Sequence, residues 1–380
     1  MQDDDRHITL RFMAGYSEIL RNLEKSGNYR TIPGDRVDDR CVDFSTNDYM
    51  GLALRDDLRR EFFDSEANRN LLMSASASRL LASCQSEHLK LEALLAELYG
   101  REVLLFNSGY HANTGIISSL AAEGTLIVAD KLSHASIIDG MILSRAPFVR
   151  FRHNDYAHLE KVLEKSAKDY ERVLVITESV FSMDGDRADI GRLVEIKRRY
   201  PNVILYVDEA HAFGVCGRMG LGYACEYPDV DIIVGTFGKA AASSGAFTAV
   251  SDEIKRFLIN RARSFIFSTA LSPMTAAWTR FMVNRLVGME SERRYVANLS
   301  RRLSEGLKCG AGASHILPLI VGDATAAVEL SGKLREEGYK ALPIRTPTVP
   351  PGTERLRFSI SASMSPEDID GLIDALNRLK

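Results

Sequence analysis

The sequence predicts an α/β fold, with a large lobe built on a mostly parallel sheet and a smaller α+β lobe after it. Three observations predict it. Helical and strand-like patterns alternate from about residue 86 onward. Several strand-like segments are continuous apolar runs, as strands covered on both faces require. Near residue 290 the texture changes to a charged helix followed by short strands and helices. A chain of 380 residues is also too long for one ordinary core.

The elements follow in order. An amphipathic helix runs from about Ile8 to Lys25 and ends near Gly27. Residues 28–46 read as irregular structure and short strands around Pro33-Gly34. Helices are expected over His88 to Tyr99, Ala112 to Ala122 and Ile190 to Tyr200. Strands are expected over Glu102 to Phe106, Thr125 to Ala129, Arg172 to Thr177, Val203 to Val207 and Asp231 to Gly235. A helix from Ser291 to Leu307, a strand from Leu356 to Ile360 and a helix from Pro366 close the chain. The expected division is an N-terminal helix and arm over 1–46, a large domain over 47–288 and a small C-terminal domain over 289–380.

Composition narrows the function classes. Hydrophobic residues are 45% and charged residues 26%, ordinary globular usage. A formal net charge of −3 gives no field favouring nucleic acid or an anionic membrane. An anionic substrate must then be met locally, by a few placed Arg or Lys. The five cysteines (Cys41, Cys84, Cys216, Cys225 and Cys309) are odd in number and form no CxxC pair. Neither a disulfide framework nor a zinc site is indicated, no metal is expected, and a reducing cytosol fits best. The opening Met-Gln-Asp-Asp-Asp lacks the basic and apolar regions of a signal peptide. No run approaches the roughly 18 apolar residues of a membrane span.

In open parallel sheets ligands bind beyond the carboxyl ends of the strands. Polar residues gather at three such ends: Asn107-Ser108-Gly109-Tyr110, Asp208-Glu209-Ala210-His211 and Thr236-Phe237-Gly238-Lys239. Lys239 sits among small residues that leave room for a flat ring and a phosphate. A desolvated lysine has a lowered pKa and becomes a nucleophilic amine. The plain alternative is a lysine snorkelling at a strand end. Asp208 ends an apolar run, where a carboxylate could keep a pyridine nitrogen protonated and His211 could reach a ring hydroxyl. The plain reading, with Asp208 taken alone, is a strand-end Asp that caps the next helix. His134 could stack on a flat ring or be structural, and Gly109 could open a phosphate-binding helix N-terminus. Gly217-Arg-Met-Gly-Leu-Gly222 has the order GxxGxG, not GxGxxG, which argues against a dinucleotide loop.

Five segments taken together resemble the α-oxoamine synthases, fold-type I pyridoxal 5'-phosphate (PLP) enzymes. They are Asn47-Asp-Tyr-Met-Gly-Leu52, Asp130-Lys-Leu-Ser-His-Ala-Ser136, Phe181-Ser-Met-Asp-Gly-Asp186, Val207-Asp-Glu-Ala-His211 and Thr236-Phe-Gly-Lys239. Each is weak alone, but their order and spacing over nearly the whole chain are specific. The resemblance implies a fold-type I transferase with Lys239 carrying PLP as a Schiff base. It further implies Asp208 at the pyridinium nitrogen, His134 stacked on the ring, and Ser182 and His211 at the ring oxygen. Gly109, Tyr110 and Thr236 would face the phosphate, and Ser268-Thr269 the phosphate of a neighbouring subunit, so a homodimer is implied. Asn47 and Arg357 would hold the amino-acid carboxylate, with Arg345 and Thr348 on the acyl side.

Three C-terminal segments, Pro318 to Asp323, Ile344 to Pro350 and Gly352 to Arg357, resemble the family member acting on L-alanine and a pimeloyl thioester. The acyl carrier would be CoA or acyl carrier protein. Glycine with a short acyl-CoA is the alternative within the family, and an idle PLP-binding regulator, or an aminotransferase or decarboxylase on the same fold, are the alternatives outside it. The stretch Ser74 to Ser83 carries Ser or Ala where the family is glycine-rich, which bears on acyl specificity because a Cβ disfavours positive φ. Either Arg21 or Arg30 would be the N-terminal arginine near the acyl substrate.

Overall fold

Segments such as Val203-Ile-Leu-Tyr-Val-Asp208 are rich in β-branched and aromatic side chains and are buried almost throughout, the signature of a central strand. The computed structural model describes residues 15–32, 41–307 and 314–379. Of the expected N-terminal helix, residues 15–25 are helical, while 8–14 lie outside the described residues, as do Pro33-Gly34 and Cys309. The chain divides into two units. The larger comprises Asn47–Asn298 and Ser361–Ser363; the smaller comprises Met1–Thr46, Leu299–Ile360 and Met364–Lys380.

The larger unit is built on a seven-stranded sheet. Its strands are β1 (Glu102–Phe106), β2 (Thr125–Asp130), β3 (Phe148–Phe151), β4 (Arg172–Glu178), β5 (Val203–Asp208), β6 (Ile232–Thr236) and β7 (Ala246–Val250). Their spatial order is β1-β7-β6-β5-β4-β2-β3. The strands from β3 across to β6 run parallel, and β7 is antiparallel to both its neighbours. Two strands escaped the sequence reading. β3 is an edge strand with three of its four residues exposed, so it carries no apolar run. β7 reads Ala-Phe-Thr-Ala-Val, too small and mixed to stand out, yet it is wholly buried.

Three helices bear on the strand ends: α1 (Ser86–Tyr99), α2 (Gly109–Leu120) and α3 (Ala135–Ser144). α2 starts three residues before the expected Ala112, because the Ser108 hydroxyl accepts the His111 N–H at 3.2 Å and caps a polar first turn. The helix from Ile190 ends at Lys197 rather than Tyr200, since Tyr200 precedes Pro201 and the α region is disfavoured there. α2 and α3 lay Ile116, Ile117, Ile137 and Met141 on the sheet against Ile127 and Ile176. Each such side chain contributes about 1.5–3 kcal/mol by leaving water. The two helices approach closely at Gly140, where an added Cβ would come within 3.0 Å of the Asn113 carbonyl.

The GxxGxG segment forms a tight turn against Glu209. An added Cβ at Gly217 would fall 1.9 Å from the Gly222 carbonyl, and one at Gly222 would fall 2.6 Å from the Glu209 carboxylate. Its glycines answer a packing demand, and no long helix follows them.

In the smaller unit, β8 (Ile316–Ile320), β9 (Leu342–Ile344) and β10 (Arg355–Ser359) form an antiparallel sheet of order β9-β10-β8. Val42–Asp43 pairs in parallel with Tyr339–Lys340, and Phe44 meets Phe358 edge-on at 6.0 Å. The last helix spans Pro366–Leu379. Among the described residues no helix is long and apolar enough to cross a membrane.

The Ser74–Ser83 stretch bends back on the chain through a bridge between Ser78 and Thr269. Within it Ser76 takes φ 55°, a left-handed conformation, with its N–H on the Ser74 hydroxyl at 3.0 Å. A non-glycine residue there carries a strain of about 1–2 kcal/mol. Ser76→Gly relieves it but widens the unfolded ensemble, so we expect a net gain of about 0.5–1 kcal/mol in urea denaturation.

Candidate functional site

At the carboxyl end of β5 the carboxylate of Asp208 is only 4% exposed. Its Oδ1 accepts the Ala210 N–H at 2.8 Å and its Oδ2 the side-chain amide of Asn113 at 2.7 Å. Asn113 lies one turn into α2 and is a hub. Its Oδ1 accepts the Tyr206 hydroxyl at 2.5 Å, and its amide also reaches Ser136 Oγ at 2.9 Å. Ser136 Oγ in turn lies 2.7 Å from His134 Nδ1, which also accepts the Ser136 N–H at 3.2 Å. One network therefore orients both Asp208 and His134. Because Nδ1 accepts a backbone N–H, the neutral ring carries its proton on Nε2.

The electrostatics of this cluster follow from burial. Burial lowers the His134 pKa; the Asp208 charge opposes this and the Lys239 ammonium adds to it, leaving a neutral imidazole. Glu178 is Asp208's register neighbour on β4 and accepts the His134 N–H at 2.5 Å. Burial, with the Asp208 charge behind it, lifts Glu178 well above the usual carboxylate range, although the His134 N–H and the Lys239 charge oppose the rise. Lys239 itself is half-buried in the turn after β6, where Ala242 donates to its carbonyl at 2.9 Å. One further carboxyl sits beneath the cluster. Burial carries Glu209 up to about 7, against hydrogen bonds from the Ser179 hydroxyl and the Ala224 N–H.

The neighbouring strand ends supply further groups. Gly109 opens α2 close to Thr236, so that an added Cβ would lie 3.7 Å from the Thr236 Cβ. The backbone N–H groups of a helix start face that spot. The Tyr110 ring stands edge-to-face with His134 at 6.4 Å, and its hydroxyl donates to Asp139. His211 is buried, with Nδ1 2.7 Å from the Tyr49 hydroxyl, which donates to Asn47 Oδ1 at 2.9 Å. Ser182 lies in the tight turn 181–186, closed by the Gly185 N–H on the Phe181 carbonyl at 2.9 Å. Ser268 Oγ accepts from the Asn107 amide at 2.9 Å, beside the same β1 end that leads into α2. Thr269, next to it, is exposed.

Arg345, Thr348 and Arg357 belong to the smaller unit. Arg357 is buried on β10. Arg30 donates to the Thr348 hydroxyl at 3.2 Å, and Arg345 donates to the Gly27 carbonyl. Burial lowers the Arg345 pKa and the Arg30 charge lowers it further. Arg21 lies instead on the exposed helix over 15–25. Of the two N-terminal candidates, Arg30 is therefore the one that joins Arg345 and Thr348. No carboxylate pairs with either guanidinium among the described residues.

Sequence reasoning missed Asn113, Ser136 and Glu178. Glu178 had a signal, since it ends a strand as Asp208 does. The others become visible only through contacts between elements.

Residues 39–376 match the family model for aminotransferase class I and II. The chain belongs to that family. Within it the chain belongs with the α-oxoamine synthases. It is 43% identical over 387 residues to the 8-amino-7-oxononanoate synthase of Haemophilus ducreyi, covering 96% of this chain and 100% of that protein. A serine palmitoyltransferase of S. paucimobilis, solved with PLP and myriocin bound, superimposes with TM-score 0.88 at 28% identity, covering 97% of each chain. The 8-amino-7-oxononanoate synthase of Francisella tularensis superimposes with TM-score 0.76 at 27% identity, over 90% of this chain and 98% of that one.

The hub arrangement of this family member carries a direct consequence. Asn113→Ala strips hydrogen-bond partners from Asp208, Ser136 and Tyr206 at once. A buried group left unpaired costs about 1–3 kcal/mol, so we expect a loss of about 3 kcal/mol in urea denaturation of the cofactor-free protein.

Proposed function

We propose that this chain is a PLP-dependent C-acyltransferase that condenses L-alanine with a pimeloyl thioester. The products are 8-amino-7-oxononanoate, CO2 and free thiol, a step in making biotin. The observation that carries the acyl choice is the pairing of Arg30 and Arg345 around Thr348, with no carboxylate partner among the described residues. A pimeloyl chain ends in a carboxylate, which two guanidiniums bind well. A palmitoyl or acetyl chain brings no such group.

The residues of the larger unit fit the cofactor by the chemistry of their donor set. A buried carboxylate, Asp208, suits a protonated ring nitrogen. A neutral imidazole, His134, suits a flat ring face. A helix start at Gly109 and Tyr110 beside the Thr236 hydroxyl suits a phosphate. Lys239 would hold the cofactor covalently, and Ser182 and His211 would approach its ring oxygen. Ser268 and Thr269 would reach the phosphate bound by the other subunit of a homodimer. When bound, PLP supplies an electron sink for negative charge at the amino-acid Cα.

The remaining chemistry falls to the chain's own groups. Asn47 and Arg357 would hold the alanine carboxylate, fixing which Cα bond breaks first. The Lys239 amine, displaced by alanine, would take the Cα proton. Asn113 and the Ala210 N–H hold the Asp208 carboxylate in place, where it would pair with the protonated ring nitrogen. His134 Nε2–H is the donor available to the ketone oxygen that forms as thiol leaves. Loss of the carboxylate as CO2 and return of a proton to Cα would complete the turnover.

The test is direct. Purified protein loaded with PLP is given L-alanine and pimeloyl-CoA or pimeloyl-acyl carrier protein, and free thiol and 8-amino-7-oxononanoate are measured. Thiol release with alanine and not glycine is the expected result. Release with glycine and a short acyl-CoA would overturn the substrate choice. Lys239→Ala should show no release above background, and residual turnover in it would sink the mechanism. Arg30→Ala should raise KM for the pimeloyl thioester roughly tenfold, as loss of one charge-assisted hydrogen bond predicts, with KM for alanine unchanged.

A further inference from the structure

Two carboxylates face opposite nitrogens of one imidazole in the larger unit. His153 Nδ1 lies 2.9 Å from Asp130 Oδ1, and its Nε2 lies 2.7 Å from Asp186 Oδ2. Ionised carboxylates only accept, so both ring nitrogens must donate and the ring is an imidazolium. Burial alone would lower its pKa, but the hydrogen bonds and charges of Asp130 and Asp186 outweigh it and carry it to about 10. Asn154 closes the same arrangement: its N–H donates to Asp130 Oδ2 at 3.0 Å and its amide to Asp186 Oδ2 at 2.7 Å. The Phe181 ring lies edge-on to the imidazole at 4.4 Å. Asp186 Oδ1 is buried with no hydrogen-bond partner among the described residues, so its charge is answered on one oxygen.

The two carboxylates belong to two walls of the candidate site. Asp130 ends β2 and shapes the turn into His134: its Oδ1 accepts the Leu132 N–H at 2.8 Å and its carbonyl the Ser133 N–H at 3.2 Å. Asp186 closes the turn that carries Ser182, its carbonyl accepting the Phe181 N–H at 3.0 Å. The imidazolium is thus a tie between the His134 turn and the Ser182 turn.

We propose that His153 is a positioning residue that holds the Ser182 turn in register with the His134 turn through Asp186 and Asp130, and so sets the shape of the cofactor site. It rests on the reading of that site given above. It acts without touching the cofactor, so disturbance should appear in how PLP is held as well as in rate.

Asp186→Ala cuts the tie on the turn side and leaves the Asp130–His153 pair. His153→Phe keeps a ring against Phe181 and removes both donors. His153→Gln restores N–H donors without charge. For each, the PLP dissociation constant is measured by absorbance titration, with visible circular dichroism at saturating PLP and a far-ultraviolet thermal melt alongside. Asp186→Ala and His153→Phe should each weaken PLP roughly tenfold, as loss of a charge-assisted hydrogen bond predicts, and change the visible signal at saturation. His153→Gln should recover part of both, and the double variant Asp186→Ala/His153→Phe should be no worse than the weaker single one. If His153→Phe fails to fold, Asp186→Ala decides. A folded Asp186→Ala protein with wild-type PLP affinity and visible signal, altered only in melting temperature, would overturn the proposal. Wild-type protein that binds no PLP would instead remove the underlying site reading.

Discussion

Asp208 is a carboxylate taken out of water at the end of a buried strand, and its surroundings are organised around that cost. An ionised group in such a place loses several kcal/mol of solvation unless hydrogen bonds return it. Asp208 receives two, from the Ala210 N–H and the Asn113 amide. The nearby groups then take the protonation states its charge allows. Glu178, one strand over, is driven toward its neutral form, and burial keeps the His134 imidazole neutral. Asp208 thus stands beside a neutral imidazole and a carboxyl driven toward its neutral form.

The sheet makes this possible by geometry. Parallel strands β2, β4, β5 and β6 deliver Asp130, Glu178, Asp208 and Thr236 at the same edge. The helices that follow start there, so their exposed N–H groups and caps lie at the same level. The close approach of α2 and α3 at Gly140 lets one side chain, Asn113, serve Asp208 and Ser136 together. Ser76 and Ala242 are two of five non-glycine residues with left-handed backbone among the described residues. Ala242 lies three residues after Lys239, and Trp278 Nε1 donates to its carbonyl at 3.0 Å, which helps fix that turn.

The smaller unit carries a different kind of feature. Burial, and behind it the Arg30 charge, lower the Arg345 pKa, and Arg30 also donates to the Thr348 hydroxyl. Among the described residues no carboxylate pairs with either guanidinium, and like charges brought together are unfavourable until an opposite charge joins them.

Much of this protein was legible before any coordinates. The alternation of apolar runs and helical patterns determined an α/β fold, and the cores of β1, β4, β5 and β6 were bounded within a residue or so. The polar four-residue segments at the ends of β1, β5 and β6 marked which end of the sheet carries chemistry, because only strand ends can expose such groups beside a covered core. The edge strand β3 and the small-residue strand β7 were not legible, since neither has a pattern apart from its neighbours. Nor were the partners that tune the site. Asn113 and Asp208 are 95 residues apart, and His153 meets acids 23 and 33 residues away. The sequence by itself determined the fold class and the residue types at the strand ends. Only the tertiary structure decided which oxygens and nitrogens meet, because strand register and helix packing, not chain spacing, choose hydrogen-bond partners.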